Sequence, residues 1–284
     1  MEKITLIECP RDAMQGIHDF IPTETKAEYL NLLLKVGFDI LDFGSFVSPK
    51  AIPQLKDTAE VLARLDLSAS KTKLLAIIAN ERGAEDACKH KEITYLGFPF
   101  SVSEQFQLRN TNSTREQSLD RVKAILDLCS ASDKKAVVYL SMAFGNPYAE
   151  EWSSEIVLEW ALKLKALGVE IMAVSDTIGS SNEASIKSLM GTLVGNLKGV
   201  ELGVHLHSHP NNWEEKMQAA YDAGCRRFDG AIKGFGGCPM AKDDLVGNMA
   251  TENIVRFLES KGNALFLNKT LFSEAQQRAM QIMS

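Results

Sequence analysis

The sequence predicts a (β/α)8 TIM barrel, and three observations predict it. Eight short β-rich runs recur along the chain, segments with helical spacing separate them, and unusual polar residues gather just after the runs. A barrel collects such residues on one rim, at the C-terminal ends of its strands. The runs are Lys3–Cys9, Phe38–Gly44, Lys73–Ala79, Ile93–Phe100, Ala136–Ala143, Glu170–Asp176, Glu201–Ser208 and Arg227–Lys233. Their starts lie roughly 20 to 43 residues apart. Several are nearly continuous in Val, Ile, Leu, Phe and Tyr, which suits parallel strands covered on both faces. An open, doubly wound sheet of eight strands is the competing architecture.

The elements between the runs follow in order. Thr23–Val36 places Tyr29, Leu32, Leu33 and Val36 on one helical side, with Thr23 as its N-cap. The helix after the second run opens at Pro49, a residue suited to a first turn. Ser113–Cys129 groups Leu119, Val122, Ile125 and Leu126 behind an N-cap at Ser113. Ser153–Leu167 groups Val157, Trp160, Ala161 and Leu164 behind Ser153, and Asn182 caps the next helix. Residues 262–284 read as a short C-terminal helical extension packed outside a barrel of about residues 1–261. No Gly/Ser linker or composition shift divides the chain, so residues 1–284 are expected to form a single domain.

Composition narrows the function. The 284 residues are 45% hydrophobic and 24% charged, ordinary for a globular protein. A formal net charge of −6 and the lack of any Lys/Arg run argue against a nucleic-acid partner. No apolar stretch approaches the ~18 residues of a membrane span. The opening MEKITLIECPRD lacks a signal peptide's apolar core. Five scattered cysteines, an odd number, disfavour a disulfide framework, and a cytoplasmic location is expected. No P-loop and no GxGxxG fingerprint is present, which argues against nucleotide chemistry.

The sharpest local signal is His205-Leu206-His207 at the end of the seventh run. Residues two apart on a strand share a face, so one metal can take both imidazoles. The competing reading is a pair of hydrogen-bonded barrel histidines. Asp12 offers a carboxylate and Asn248 an amide oxygen. Two nitrogens and two hard oxygens suit octahedral Mg²⁺ or Mn²⁺, whereas a closed zinc site more often carries thiolates. Arg11 either holds a carboxylate or polarised carbonyl through paired hydrogen bonds, or forms an ordinary ion pair. Asp42 either shapes the same site or caps the following loop. Asp176 either braces a ligating histidine or caps a turn. Cys238, among Gly234, Gly236, Gly237 and Gly247, either closes over the site and exchanges a proton or is a chance loop cysteine. Cys9, Cys88, Cys129 and Cys225 read as packing residues.

Taken together, these residues resemble the 3-hydroxy-3-methylglutaryl-CoA lyases, within the wider group of metal-dependent TIM-barrel lyases and acyl-CoA condensing enzymes. The matching pieces are Pro10-Arg11-Asp12, Ser45 to Lys50, Pro53-Gln54, Asp176-Thr177-Ile178-Gly179, His205-x-His207, Gly236-Gly237-Cys238-Pro239 with Ala241-Lys242, and Gly247 to Glu252. They span nearly the whole chain in the right order. The resemblance implies that Asp12, His205, His207 and Asn248 ligate a divalent metal. It implies that Arg11 stabilises the substrate's enolate and that Cys238 transfers a proton. Asp12, His205 and Asp42 join that catalytic set, Arg11, Gln15 and Ser45 contact substrate, and Asp176 and Glu252 support the ligands from behind. The implied reaction is a retro-Claisen cleavage of a small-molecule acyl-CoA, giving acetyl-CoA and acetoacetate, by a homodimer.

The chain departs from the family pattern at several places. Ala13 replaces a glycine, Asp42 a glutamate, and Met240 a tyrosine; Ser208 follows the histidine pair where Asp is usual. Lys233 and Phe235 replace smaller or aliphatic residues, and a family lysine is replaced near His18. Three alternatives therefore stay open. One is a lyase for a related 3-hydroxy-3-alkylglutaryl-CoA with a larger group at C3. Another is a condensing synthase of the isopropylmalate or citramalate type, although those usually lack the Gly-Gly-Cys-Pro loop. The third is a catalytically inactive metal-binding paralogue.

Overall fold

A computed structural model describes residues 3–237 and 246–283. Its eight strands are β1 (Thr5–Glu8), β2 (Ile40–Ser45), β3 (Lys73–Ile77), β4 (Ile93–Ser101), β5 (Lys135–Ser141), β6 (Ile171–Ser175), β7 (Glu201–His205) and β8 (Arg227–Gly230). All pair in parallel, in sequence order, and β1 pairs with β8 to close the barrel. The seam runs in register from Thr5 opposite Arg227 to Glu8 opposite Gly230. Closure removes every sheet edge, so the open doubly wound alternative is excluded.

Eleven helices among the described residues connect and flank the strands: α1 (Pro10–Gln15), α2 (Thr23–Val36), α3 (Thr58–Leu62), α4 (Glu81–Cys88), α5 (Glu104–Thr111), α6 (Arg115–Ala131), α7 (Ser154–Ala166), α8 (Glu183–Asn196), α9 (Trp213–Asp222), α10 (Thr251–Ser260) and α11 (Lys269–Met283). Strand alternation sorts the apolar residues into two cores. Ile7, Ile40, Leu75, Val137, Ile171 and Ala173 fill the barrel itself. Leu6, Leu41, Leu74, Val138, Met172 and Phe228 point outward against the helices. The C-terminal extension, α11, packs outside the barrel: Phe272 meets Phe38 edge-on at 5.8 Å, and Asn268 N–H donates to the Val36 carbonyl.

Several local expectations are corrected. The N-cap of α2 is Pro22; Thr23 is already helical, and its hydroxyl donates to Asp57 at 2.8 Å. Thr114, one residue past Ser113, caps α6 in a reciprocal box with Gln117. No helix opens at Pro49. The Ser48 carbonyl draws the Ala51 and Ile52 amides into a turn, a 3₁₀ turn follows at Pro53–Leu55, and α3 starts only at Thr58. The seventh strand stops at His205 and the eighth at Gly230. Among the described residues, no helix is long and apolar enough to cross a membrane.

Candidate active site

The site is assembled from both ends of the chain. Pro10 starts α1 directly after β1, so Arg11 and Asp12 lie in a helix's first turn rather than in a loop. His205 is the last residue of β7. His207, two residues on, pairs with Asn248 in an isolated antiparallel bridge, flanked by Met249 N–H to the Leu206 carbonyl and Ser208 N–H to the Gly247 carbonyl. That bridge turns His207 back over the rim. Donor atoms of Asp12, His205 and His207 all lie within 4.8 Å of one another, close enough to hold one metal ion. They form one wall of a cavity of about 460 Å³, with Arg11, Gln15 and Tyr139 beside them. Val47, Ile52, Ile77 and Phe106 supply apolar lining, and Arg109 also lines the cavity.

Arg11 organises the charges. Its Nε and Nη2 donate to Asp42, the latter at 2.6 Å, and its Nη1 donates to Asp12 at 2.7 Å and to Gln15 at 2.9 Å. A guanidinium has five N–H bonds, so one on Nη2 is left for a ligand. Burial works against the Arg11 charge, but Asp42 and Asp12 outweigh it and hold the cation protonated. Burial also works against Asp12, yet Arg11, the two imidazoles and the Asn248 amide bring its carboxyl down to about 2. Asp42 is different: burial overcomes the pull of Arg11 and pushes it up to about 6. Burial and the neighbouring His205 push His207 down to about 4, so it is a neutral imidazole at neutral pH. Burial also disfavours the His205 cation, but Asp229 and Asp12 raise its pKa. An ionised carboxylate and a neutral imidazole are the forms a divalent cation requires. The donor set therefore fits a hard or borderline cation.

The remaining expected residues lie in varied positions. The Asn248 amide nitrogen donates to Asp12 at 2.7 Å and to the Phe235 carbonyl at 2.8 Å. Through these two bonds Asn248 braces Asp12 at the edge of the cluster. Gly236 makes this approach possible: a Cβ would fall 2.6 Å from the Asp12 carbonyl and 2.8 Å from the Asn248 amide. Gln15 donates to Asp12 at 2.9 Å and lines the cavity. Ser45 is buried, gives its hydroxyl oxygen to the Val47 amide, and is absent from the cavity wall. Asp176 bonds neither imidazole; it holds Ser181 and Lys216, and Lys216 in turn donates to the His207 carbonyl. Glu252 bonds the Lys233 amide and side chain, well behind the ligands. Cys238 lies outside the described residues.

The sequence did not place Asp229, Tyr139 or Cys9 at the site. Asp229 faces His205, with Oδ2 and Nδ1 3.4 Å apart. Tyr139 packs against His205 in a T-shaped pair with ring centroids 6.0 Å apart. Cys9, expected only to pack, belongs to a second cluster with His205 and Asp229. Burial drives its thiol pKa well up, which keeps it protonated. A signal for Asp229 existed: Arg227 and Asp229 alternate with Phe228, the pattern of a strand with a polar inner face.

With this geometry in place, residues 4–278 match the family model described as HMGL-like. The chain belongs to the HMGL-like family. It is similar to the hydroxymethylglutaryl-CoA lyase of Bacillus subtilis, 32% identical over 91% of this chain and 86% of the relative. It is 30% identical to the mitochondrial hydroxymethylglutaryl-CoA lyase of Mus musculus, over 92% of this chain and 80% of the relative. Among solved structures, a Bacillus subtilis HMG-CoA lyase superposes with a TM-score of 0.93 at 29% identity, covering 100% of this chain and 94% of that one. An Acinetobacter baumannii HMG-CoA lyase in complex with coenzyme A and 3-methylmalate gives 0.91 at 27% identity, over 99% and 91% of the two chains. This HMGL-like chain is thus an enzyme of the carbon–carbon lyase class, and its barrel is that of the family.

Proposed function

We propose that this enzyme cleaves 3-hydroxy-3-methylglutaryl-CoA to acetyl-CoA and acetoacetate, using Mg²⁺ or Mn²⁺, as a cytoplasmic homodimer. The observation that carries the reading is the convergence of Asp12, His205 and His207 within 4.8 Å beside Arg11. Asp12, His205 and His207 would hold the cation, which supplies the charge that lowers the pKa of the substrate's tertiary hydroxyl. That hydroxyl loses its proton to a general base of the site. The C2–C3 bond then breaks, and its electron pair becomes the enolate of acetyl-CoA. The free Nη2 N–H of Arg11 donates to the thioester oxygen, where this negative charge develops. A proton returns to the enolate carbon. Cys238 is assigned as its donor by resemblance alone. Val47, Ile52 and Ile77 line the same cavity and would receive the acyl group's methyl side.

The test is acetyl-CoA release from 3-hydroxy-3-methylglutaryl-CoA with Mg²⁺, with Mn²⁺ and with chelator. Turnover should need the cation, and Asp12→Asn and Cys238→Ser should each lower kcat by about 100-fold or more. A wild-type protein that binds Mn²⁺ but releases no acetyl-CoA would refute this substrate, and thioesters with larger C3 groups would be tried next.

A further inference from the structure

Below the metal-ligand cluster, the barrel interior carries charge that the proposed reaction does not use. Arg227 and Asp229 both lie on β8, while Phe228 between them packs outward. Arg227 is only 2% exposed and Asp229 3%. Burying a carboxylate and a guanidinium inside a barrel is costly, and apolar residues would fill the space without that cost. Gly203 on β7 opens the space: a Cβ there would fall 2.8 Å from Cγ and Cδ of Arg227. Arg227 reaches Glu201 with Nη1 at 3.2 Å, while its Nε and Nη2 have no hydrogen-bond partner among the described residues. Asp229 directs Oδ2 to Nδ1 of His205, its register neighbour on β7, and its Oδ1 has no partner among the described residues. The Tyr139 ring packs roughly perpendicular to the imidazole, with centroids 6.0 Å apart.

We propose that Asp229 is a positioning residue: it accepts the Nδ1 proton of His205, locks that tautomer, and leaves Nε2 as the lone-pair nitrogen for the cavity. Arg227 stands two residues behind it, with two donors uncommitted, and balances the Asp229 charge. A metal-ligating imidazole almost always donates its second ring N–H to a fixed acceptor, and a carboxylate is a common one. Here the carboxylate comes from the neighbouring strand, so ring orientation is set by barrel register rather than by a loop. The inference rests on the reading that His205 serves the cavity as ligand or proton carrier. It adds a residue that touches neither substrate nor cation.

The experiment is a long-range ¹H–¹⁵N spectrum of ¹⁵N-histidine protein at alkaline pH, with chelator and then with Mg²⁺. The sequence has five histidines, so His205 is assigned by comparison with His205→Asn. Wild type should show His205 protonated on Nδ1 with Nε2 bare, and Mg²⁺ should move only the Nε2 signal. In Asp229→Asn that tautomer preference should be lost and Mn²⁺ affinity, by calorimetry, should fall about 10- to 100-fold. Asp229→Glu should recover part of both. Wild-type His205 protonated on Nε2 would overturn the proposal, even if the variant fails to fold. So would an Asp229→Asn protein with unchanged tautomer and Mn²⁺ affinity. A Nδ1-protonated His205 in a protein that releases no acetyl-CoA would defeat the lyase reading and leave the role of Asp229 standing.

Discussion

Lys216 ends against three oxygens inside the protein: Asp176 at 3.0 Å, the His207 carbonyl at 2.8 Å and the Gly179 carbonyl at 3.3 Å. Both side chains of the Lys216–Asp176 pair are fully buried. Removing the cation strands a carboxylate in the interior, where an unpaired charge costs about 3–5 kcal/mol. Lys216→Met should therefore lower unfolding stability by about that amount in a urea titration. Because Lys216 also holds the His207 backbone, Mn²⁺ affinity should weaken in the same variant. Unaltered stability would refute this bracing role of Lys216. This bracing was invisible in the sequence. Lys216 occupies an ordinary amphipathic helix, and only the barrel brings it over from α9 to the β6 and β7 loops. Asp176 was recognised as part of the rim for its position at a strand end, but its partner could not be read without the fold.

Glu8 joins three elements: on β1, it accepts from the Ile232 amide after β8 and from the Thr251 hydroxyl at the start of α10. It faces outward with Leu6, into the layer between barrel and helices, and is fully buried. Burial pushes its carboxyl up to about 8, against the lowering effect of these hydrogen bonds. In the unfolded chain the same group ionises near 4.5. Between those values the folded protein holds a proton that the unfolded chain has released, so stability from this group falls as pH rises. The loss should approach about 1.4 kcal/mol per pH unit and level off above about pH 8. Urea unfolding across that window should show the decline, and Glu8→Gln should flatten it. An equally steep decline in the variant would place its origin elsewhere. Element ends were partly legible. Ser153 and Asn182 cap their helices as their sequences imply. Thr23 and Pro49 misled because cap residues recur in loops, and a hydroxyl can go to a distant partner, as Thr23 does to Asp57.

For the whole molecule, barrel closure and site assembly are one event. The strand runs were legible because both-face burial leaves apolar runs, but nothing local records that β1 and β8 meet, or that Asp229 faces His205 across adjacent strands. That knowledge comes only with the register. The residues proposed to hold the cation come from α1 and from the end of β7, and Asn248 reaches Asp12 across 236 positions of sequence. An unfolded chain cannot keep these groups within one coordination sphere, so the cation binds the closed barrel alone. At a free concentration 100 times its Kd, it should stabilise the fold by about 2.7 kcal/mol. For a chain of this size that raises Tm by roughly 4–5 °C. Differential scanning calorimetry with Mn²⁺ and with chelator should show the rise and its reversal. His207→Gln should unfold at the same temperature in both, because one lost ligand removes the linkage. Glu8→Gln lies outside the cluster, so its Tm should still rise with Mn²⁺. A Tm in wild type that ignores Mn²⁺ up to millimolar concentration would mean that Asp12, His205 and His207 form a hydrogen-bonded cluster and not a metal site.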